Sequence, residues 1–362
     1  MFPAHNGPRH ILITGGTGFI GANLAAHLLA TTDARITLFD NLSRPGGEQN
    51  LAWLRSQARA GRLRFLRGDI RSSIRVAEAV RGVDEIYHLA SCCEHTSQEG
   101  RDFDVNANGT LHVLEAARSS HGRPTVSYVS TSKVYNAIGS DQLHRDGERY
   151  MPLVPGFRGI SERTPANFQS PHICSRGVAD RHVIDYARFY NLPAVVLRAD
   201  TIAGPRQFEN EGHGWVSHLV YSALARTPVT VYGDGLQVCD VLHVSDLVSA
   251  ITAARDFAPL TSGNAYNLGG GPSHTVSVNE MVRLIERICH CSINVRYAPP
   301  RPGDRPFYMA DSSAFIADTG WRPRRSLEQT VRDIAAFWNA NQMHTMKAAP
   351  AAHAVSGYRN AA

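Results

Sequence analysis

Short apolar runs alternate with longer stretches of mixed polarity through the first two hundred residues. The runs at 10–14, 36–40, 63–68, 85–89, 126–130 and 194–197 are too short for helices and rich in Ile, Val, Leu and Phe, so they predict strands. Between them, 20–29, 76–80, 109–118 and 179–190 carry apolar residues at helical spacing. Strand and helix in turn predict an α/β fold built on a doubly wound parallel sheet. Past Arg198 the alternation fails. Residues 204–235 read as loop-rich, whereas 240–243 and the helix after them return to the large domain. Residues 266–268, a helix at 279–288 and a strand at 293–297 are expected in a smaller C-terminal lobe, with a loop at 299–303 and a last helix at 327–338. The expected division is 8–203 with about 238–262 as the larger domain, 204–237 and 263–342 as a substrate-binding lobe, and the Ala-rich 343–362 as a disordered tail.

Composition removes several classes. Of 362 residues, 43% are hydrophobic and 19% charged, which is ordinary for a globular protein. The net charge of +5 is spread out with no basic stripe, so nucleic acid is not an expected partner. No stretch reaches membrane-span length and no signal-peptide run precedes the first strand, so no membrane partner and a cytoplasmic setting are expected. Six cysteines in a chain this long make no disulfide framework. Cys289-His290-Cys291 lacks a second ligand pair at zinc spacing, and the seventeen histidines are scattered. No metal is expected, and that triplet reads as a helix end beside a strand. Gly269-Gly270-Gly271 lacks the Lys-Ser/Thr ending of a phosphate loop and reads as a turn.

The chemistry starts at Gly15-Gly16-Thr17-Gly18-Phe19-Ile20-Gly21, between the strand ending at Thr14 and a helical pattern. In that context Gly15 makes the tight turn, Gly18 admits a pyrophosphate and Gly21 permits close packing of helix on strand. This is the Rossmann pattern for a nicotinamide dinucleotide. Asp40 ends the second strand about twenty residues on, where a carboxylate accepts from the adenosine ribose and repels a 2′-phosphate. NAD is therefore expected over NADP, although Arg44 lies close enough to weaken that discrimination. Asp69 ends the third strand, in reach of the adenine amino group.

From His10 to Trp338 these stretches resemble the extended short-chain dehydrogenase/reductases of the NAD-dependent sugar-nucleotide epimerase and dehydratase family. General motifs are the glycine loop, Tyr87-His88-Leu89-Ala90, Asn106 with Gly109-Thr110, and Gly320-Trp321-Arg322-Pro323. More specific stretches resemble its CDP-paratose (CDP-tyvelose) 2-epimerase branch. These are Asp40-Asn41-Leu42-Ser43-Arg44, Ser130-Thr131-Ser132-Lys133-Val134-Tyr135, and Gly204-Pro205-Arg206-Gln207-Phe208 leading to Trp215. The resemblance implies tightly held NAD, transient oxidation of a substrate hydroxyl to a ketone, and return of the hydride after inversion or elimination at the neighbouring carbon. It adds Thr17, Phe19, Ile20, Asn41, Ser43, Ile70, Leu89, Ala90 and Ser91 to the cofactor contacts. For the substrate it implies Arg206, Gln207, Trp215, the Cys239 position and Arg301, and it implies a homodimer through helices near 109–118 and 179–190.

The chain departs from this pattern at its centre. The catalytic hydroxyl of such enzymes maps onto Thr131, with Ser132 beside it, but their Tyr–Lys pair maps onto His172 and Arg176. Four residues apart on a helix, the two stay neighbours. A histidine is largely neutral near pH 7 and ready to accept a proton, and the permanent charge of Arg176 favours the neutral ring. Arg176 can also hydrogen-bond the nicotinamide ribose. Two other readings stay open: a site that has lost the oxidation step, or proton transfer by Glu94 and Cys93 after the fourth strand. A second departure is Cys239, where the family has an Arg on the substrate diphosphate, and Ala203 replaces a frequent Tyr. Losing one bidentate contact adds a nucleoside or another sugar conjugate to the sugar nucleotides as expected substrates. Ser132-Lys133 stands where standard dehydratases carry Asp-Glu, which argues against a standard 4,6-dehydratase but not against elimination using Glu94; epimerisation is favoured only through the family likeness. Elimination, net oxidation and a cofactor-binding protein without turnover are the alternatives.

Overall fold

The computed structural model of this chain describes residues 7–92, 99–208, 214–301 and 303–341. Its first part alternates strictly: β1 (His10–Thr14), α1 (Phe19–Thr31), β2 (Arg35–Asp40), α2 (Gly47–Gln57), β3 (Leu63–Arg67), α3 (Ser73–Val80) and β4 (Glu85–His88). Next come α4 (Glu99–Phe103), which runs through a π-helical turn (Asp104–Asn108) into α5 (Gly109–Ser119), and then β5 (Thr125–Thr131). A hairpin of β6 (Leu143–Asp146) and β7 (Arg149–Pro152) precedes α6 (Pro171–Tyr190), β8 (Ala194–Ala199) and β9 (Thr201–Ala203). There follow α7 (Trp215–Ala225), β10 (Val229–Tyr232), β11 (Val238–His243), α8 (Val244–Asp256), α9 (Ala258–Thr261) and β12 (Ala265–Leu268). The described chain ends with β13 (Thr275–Ser277), α10 (Val278–Cys289), β14 (Val295–Ala298), α11 (Ser313–Thr319) and α12 (Leu327–Ala340).

Seven parallel strands form one sheet in the order β3-β2-β1-β4-β5-β8-β12, the doubly wound Rossmann arrangement expected. Successive side chains of a strand face opposite sides. Thus Ile11, Ile13, Ile36 and Leu38 share a core with α1 and α8, while Leu12, Phe39, Val126 and Val196 share one with α3, α5 and α6. Burial on both faces is why these strands read as unbroken apolar runs.

Two expectations need correction. Residues 204–235 hold more regular structure than a loop-rich stretch, because α7 and β10 lie within them. The glycines at 204, 214, 233 and 235 masked the helical spacing of Val216, Leu219, Val220 and Ala223, which are buried against α10 and α12. Residues 266–268 do not join the smaller lobe; as β12 they pair with β8 and close the large sheet. The helix after 240–243 does pack on the large domain through Leu247, Val248 and Ile251, and α10 and β14 fall where expected. Cys289 ends α10 and His290 caps it in the left-handed conformation, and no metal-holding cluster exists among the described residues. No described helix is long and apolar enough to cross a membrane. The tail at 343–362 lies outside the described residues.

Candidate active site

A cleft of about 430 Å³ opens at the carboxyl ends of the large sheet, the edge where such sheets bind ligands. Its first wall is backbone. Gly15 takes φ +66° and brings the chain against Leu89 and Ala90, where a Cβ would sit 2.8 Å from the Ala90 nitrogen. A Cβ on Gly21 would lie 2.3 Å from the Gly15 carbonyl oxygen. Gly18 begins α1 without a side-chain cap, so the first-turn N–H groups are open to an anion. This cradle fits a dinucleotide pyrophosphate.

Asp40 stands at the end of β2, held by hydrogen bonds from the backbone N–H of Thr17 (3.0 Å) and Leu42 (2.8 Å). Thr17 is itself buried behind the loop, whereas Phe19, Ile20, Asp40, Asn41, Ser43 and Arg44 line the cleft. Asp69, Ile70, Leu89, Ala90 and Ser91 line it as well. Arg71 makes a two-pronged bond to Asp69 (both 2.9 Å), and Asn41 donates to the same carboxylate, which holds Asp69 far below the usual carboxylate range.

The opposite wall is made of side chains. Ser170 caps α6 by accepting from the Ile173 N–H, and Pro171 supplies the first helical residue. That start is eight residues before the expected 179, and it puts His172 and Arg176 on consecutive turns of one helix. Both line the cleft with Thr131 and Lys133. Arg176 donates to the Val129 carbonyl (2.9 Å). The His172 Nδ1 meets Asp102 Oδ2 at 2.9 Å, with the Asp102 side chain only 2% exposed. Burial pushes the His172 pKa below its ordinary value; Asp102 pulls it back up, and Arg176 and Lys133 add to the lowering. His88, beneath the cleft, bonds Thr14 (2.7 Å) and Thr110 (2.9 Å), and burial drives its pKa down to about 3, so it is a neutral structural link.

Ser132 is buried rather than lining the cleft. Its hydroxyl donates to Asp200 (2.5 Å) and accepts from Arg305 (2.7 Å), which also pairs with Asp200 (2.5 Å) and lies over the Tyr308 ring. Gln207 and Trp215 line the cleft, but the other expected substrate residues do not. Arg206 stacks on Trp53, 3.8 Å from the ring centre, and Arg301 stacks on Tyr232 while pairing with Asp304. Cys239 sits near the Asp200–Arg305 pair, and burial raises its thiol to about 12, so it holds no thiolate at neutral pH. Cys93 and Glu94 lie outside the described residues. Asp102 and Asp200 were missed from sequence. Asp200 carried a signal, a carboxylate just past the carboxyl end of a core strand; Asp102, four residues before the Asn106 motif and outside every expected element, carried none.

The model of the NAD dependent epimerase/dehydratase family matches residues 11–269. The chain is 35% identical to CDP-paratose 2-epimerase of Salmonella typhi, over 90% of this chain and 97% of that one. It is 29% identical to a dTDP-glucose 4,6-dehydratase of Neisseria gonorrhoeae, over 94% and 99%. In structure it is similar to DesIV, a dTDP-glucose 4,6-dehydratase of Streptomyces venezuelae with NAD bound (TM-score 0.78, 26% identity, 92% and 98% covered). A UDP-glucuronic acid 4-epimerase of Bacillus cereus shares the fold (TM-score 0.78, 23% identity, 92% and 99% covered).

Proposed function

The chain belongs to the NAD dependent epimerase/dehydratase family, and from that premise we propose that it epimerises a sugar nucleotide through a transient ketone, with His172 moving the hydroxyl proton. It is an enzyme of this family and its cofactor is NAD. The observation that carries the proposal is the place of His172, the sole imidazole among the described lining residues, on the wall shared with Thr131 and Arg176.

NAD, held by the glycine loop and Asp40, would supply a reversible hydride acceptor for the carbinol carbon. Thr131 hydrogen-bonds the reacting hydroxyl, and His172 accepts its proton as the C=O forms. Arg176 would hold the nicotinamide ribose. The ketone acidifies the neighbouring C–H; one group removes that proton and another delivers one to the opposite face. For these two groups Cys93 and Glu94 are the sequence candidates. Gln207 and Trp215 contact the substrate, whereas Arg206, Cys239 and Arg301 do not line the cleft. Dehydration is the second reading, favoured by the likeness to the Neisseria dehydratase. A homodimer through α5 and α6 fits the 79% exposure of Phe189 on α6, and light scattering checks it.

Denaturing the purified protein is expected to release NAD. Mixing it with CDP-paratose, dTDP-glucose and UDP-glucuronic acid in turn is expected to give a transient rise in reduced-nicotinamide absorbance with at least one. NADH that accumulates with turnover points to net oxidation instead. No reduction by any of the three supports a cofactor-binding protein without turnover.

A further inference from the structure

We propose that Asp102 and His172 form a carboxylate–imidazole dyad, in which Asp102 fixes the ring tautomer and so makes Nε2 the nitrogen that exchanges the substrate proton. This rests on the role given to His172 above and assigns Asp102 as its positioning residue.

The geometry is one of side chains brought from distant elements. Asp102 comes from α4 and His172 from the start of α6, 70 residues later, and they meet at 2.9 Å. Their side chains are 2% and 13% exposed, so water screens the contact little. Among the described residues, the second oxygen of Asp102, Oδ1, has no hydrogen-bond partner. The carboxylate is thus directed at the imidazole.

An ionised carboxylate only accepts, so the bond requires a proton on Nδ1. In the neutral ring Nε2 then carries the lone pair. A buried carboxylate facing a neutral ring is poorly compensated, and it becomes an ion pair once Nε2 gains a proton. The arrangement therefore favours the imidazolium that proton transfer creates over the resting ring. Arg176, one turn along α6, and Lys133, just past β5, oppose that charge, as does burial. Asp102 offsets them. The balance keeps the resting ring neutral near pH 7 while leaving it able to accept a proton. In the step itself, the substrate O–H bond breaks, its proton goes to Nε2, and the Nδ1 proton stays on the ring throughout. The same proton goes back when the ketone is reduced. A histidine set among cations needs an anion beside it to do this.

The test is nitrogen NMR of ring-labelled histidine in the full chain as purified, with the His172 signal assigned by its loss in His172→Gln. Above its titration midpoint, the wild-type ring is expected to carry its proton on Nδ1 and none on Nε2. Asp102→Asn is expected to move the midpoint down by about one pH unit or more, since it removes a charge in direct contact. Asp102→Ala is expected to move the neutral ring to the Nε2–H form. A wild-type ring protonated at Nε2 overturns the proposal, as does an unmoved midpoint in a folded Asp102→Asn. The wild-type spectrum needs no variant, so misfolding of a variant cannot shelter the idea. No substrate enters the measurement. Failure of every sugar nucleotide with the NMR pattern intact therefore counts against the epimerase reading, whereas a failed NMR pattern with turnover counts against the dyad.

Discussion

On one wall of the cleft a single stretch of chain, from Thr14 to Gly21, presents backbone N–H groups at the start of α1. The other wall collects side chains from two places, Thr131 at the end of β5 and His172 with Arg176 on α6, with Asp102 of α4 buried behind His172. The backbone wall tolerates little change at its glycines, because added atoms fall on other backbone. The side-chain wall can exchange one proton-transfer group for another without disturbing the sheet beneath it. Under the proposal that His172 and Arg176 do the work of a Tyr–Lys pair, this is how the chain keeps the fold and cofactor of its family.

That contrast can be broken at either wall. The largest effect is expected from Gly21→Val, whose Cβ would meet the Gly15 carbonyl oxygen at 2.3 Å and Gly16 Cα at 2.8 Å. We expect a loss of about 3 kcal/mol in stability, read by thermal denaturation, and protein purified without NAD. Asp40→Asn is milder. It leaves an acceptor for the ribose but removes the negative charge facing a 2′-phosphate, so the preference for NAD over NADP is expected to fall about tenfold in competitive binding. The smallest effect is expected at Arg206, which lies behind the wall on Trp53. Arg206→Ala is expected to cost about 1 kcal/mol by denaturant titration, with NAD still released from the denatured protein.

The sequence resolved these walls unequally, for physical reasons. The backbone wall follows from neighbours in sequence: strand, glycines and helix are contiguous, so spacing alone reveals them. The large sheet was legible because strands buried on both faces need unbroken apolar runs. Strand β12 escaped, since a run of four at a sheet edge does not announce its partner. Helix α7 escaped because flanking glycines suggested loop. On the other wall, His172 stood out only as a departure from a known motif. Asp102 and the Asp200–Arg305–Ser132 cluster depend on contacts between residues 68 to 173 positions apart along the chain, and no local pattern encodes those.

The central claim is that His172 moves the proton that permits reversible oxidation in this cleft. Its most direct test is incubation with the responsive sugar nucleotide in deuterated water, comparing wild type with His172→Ala, each confirmed to hold NAD. The account predicts deuterium at the carbon next to the oxidised one in the wild-type reaction, and incorporation slowed by about a hundredfold or more in the variant. Deuterium appearing at the same rate in both proteins would contradict it.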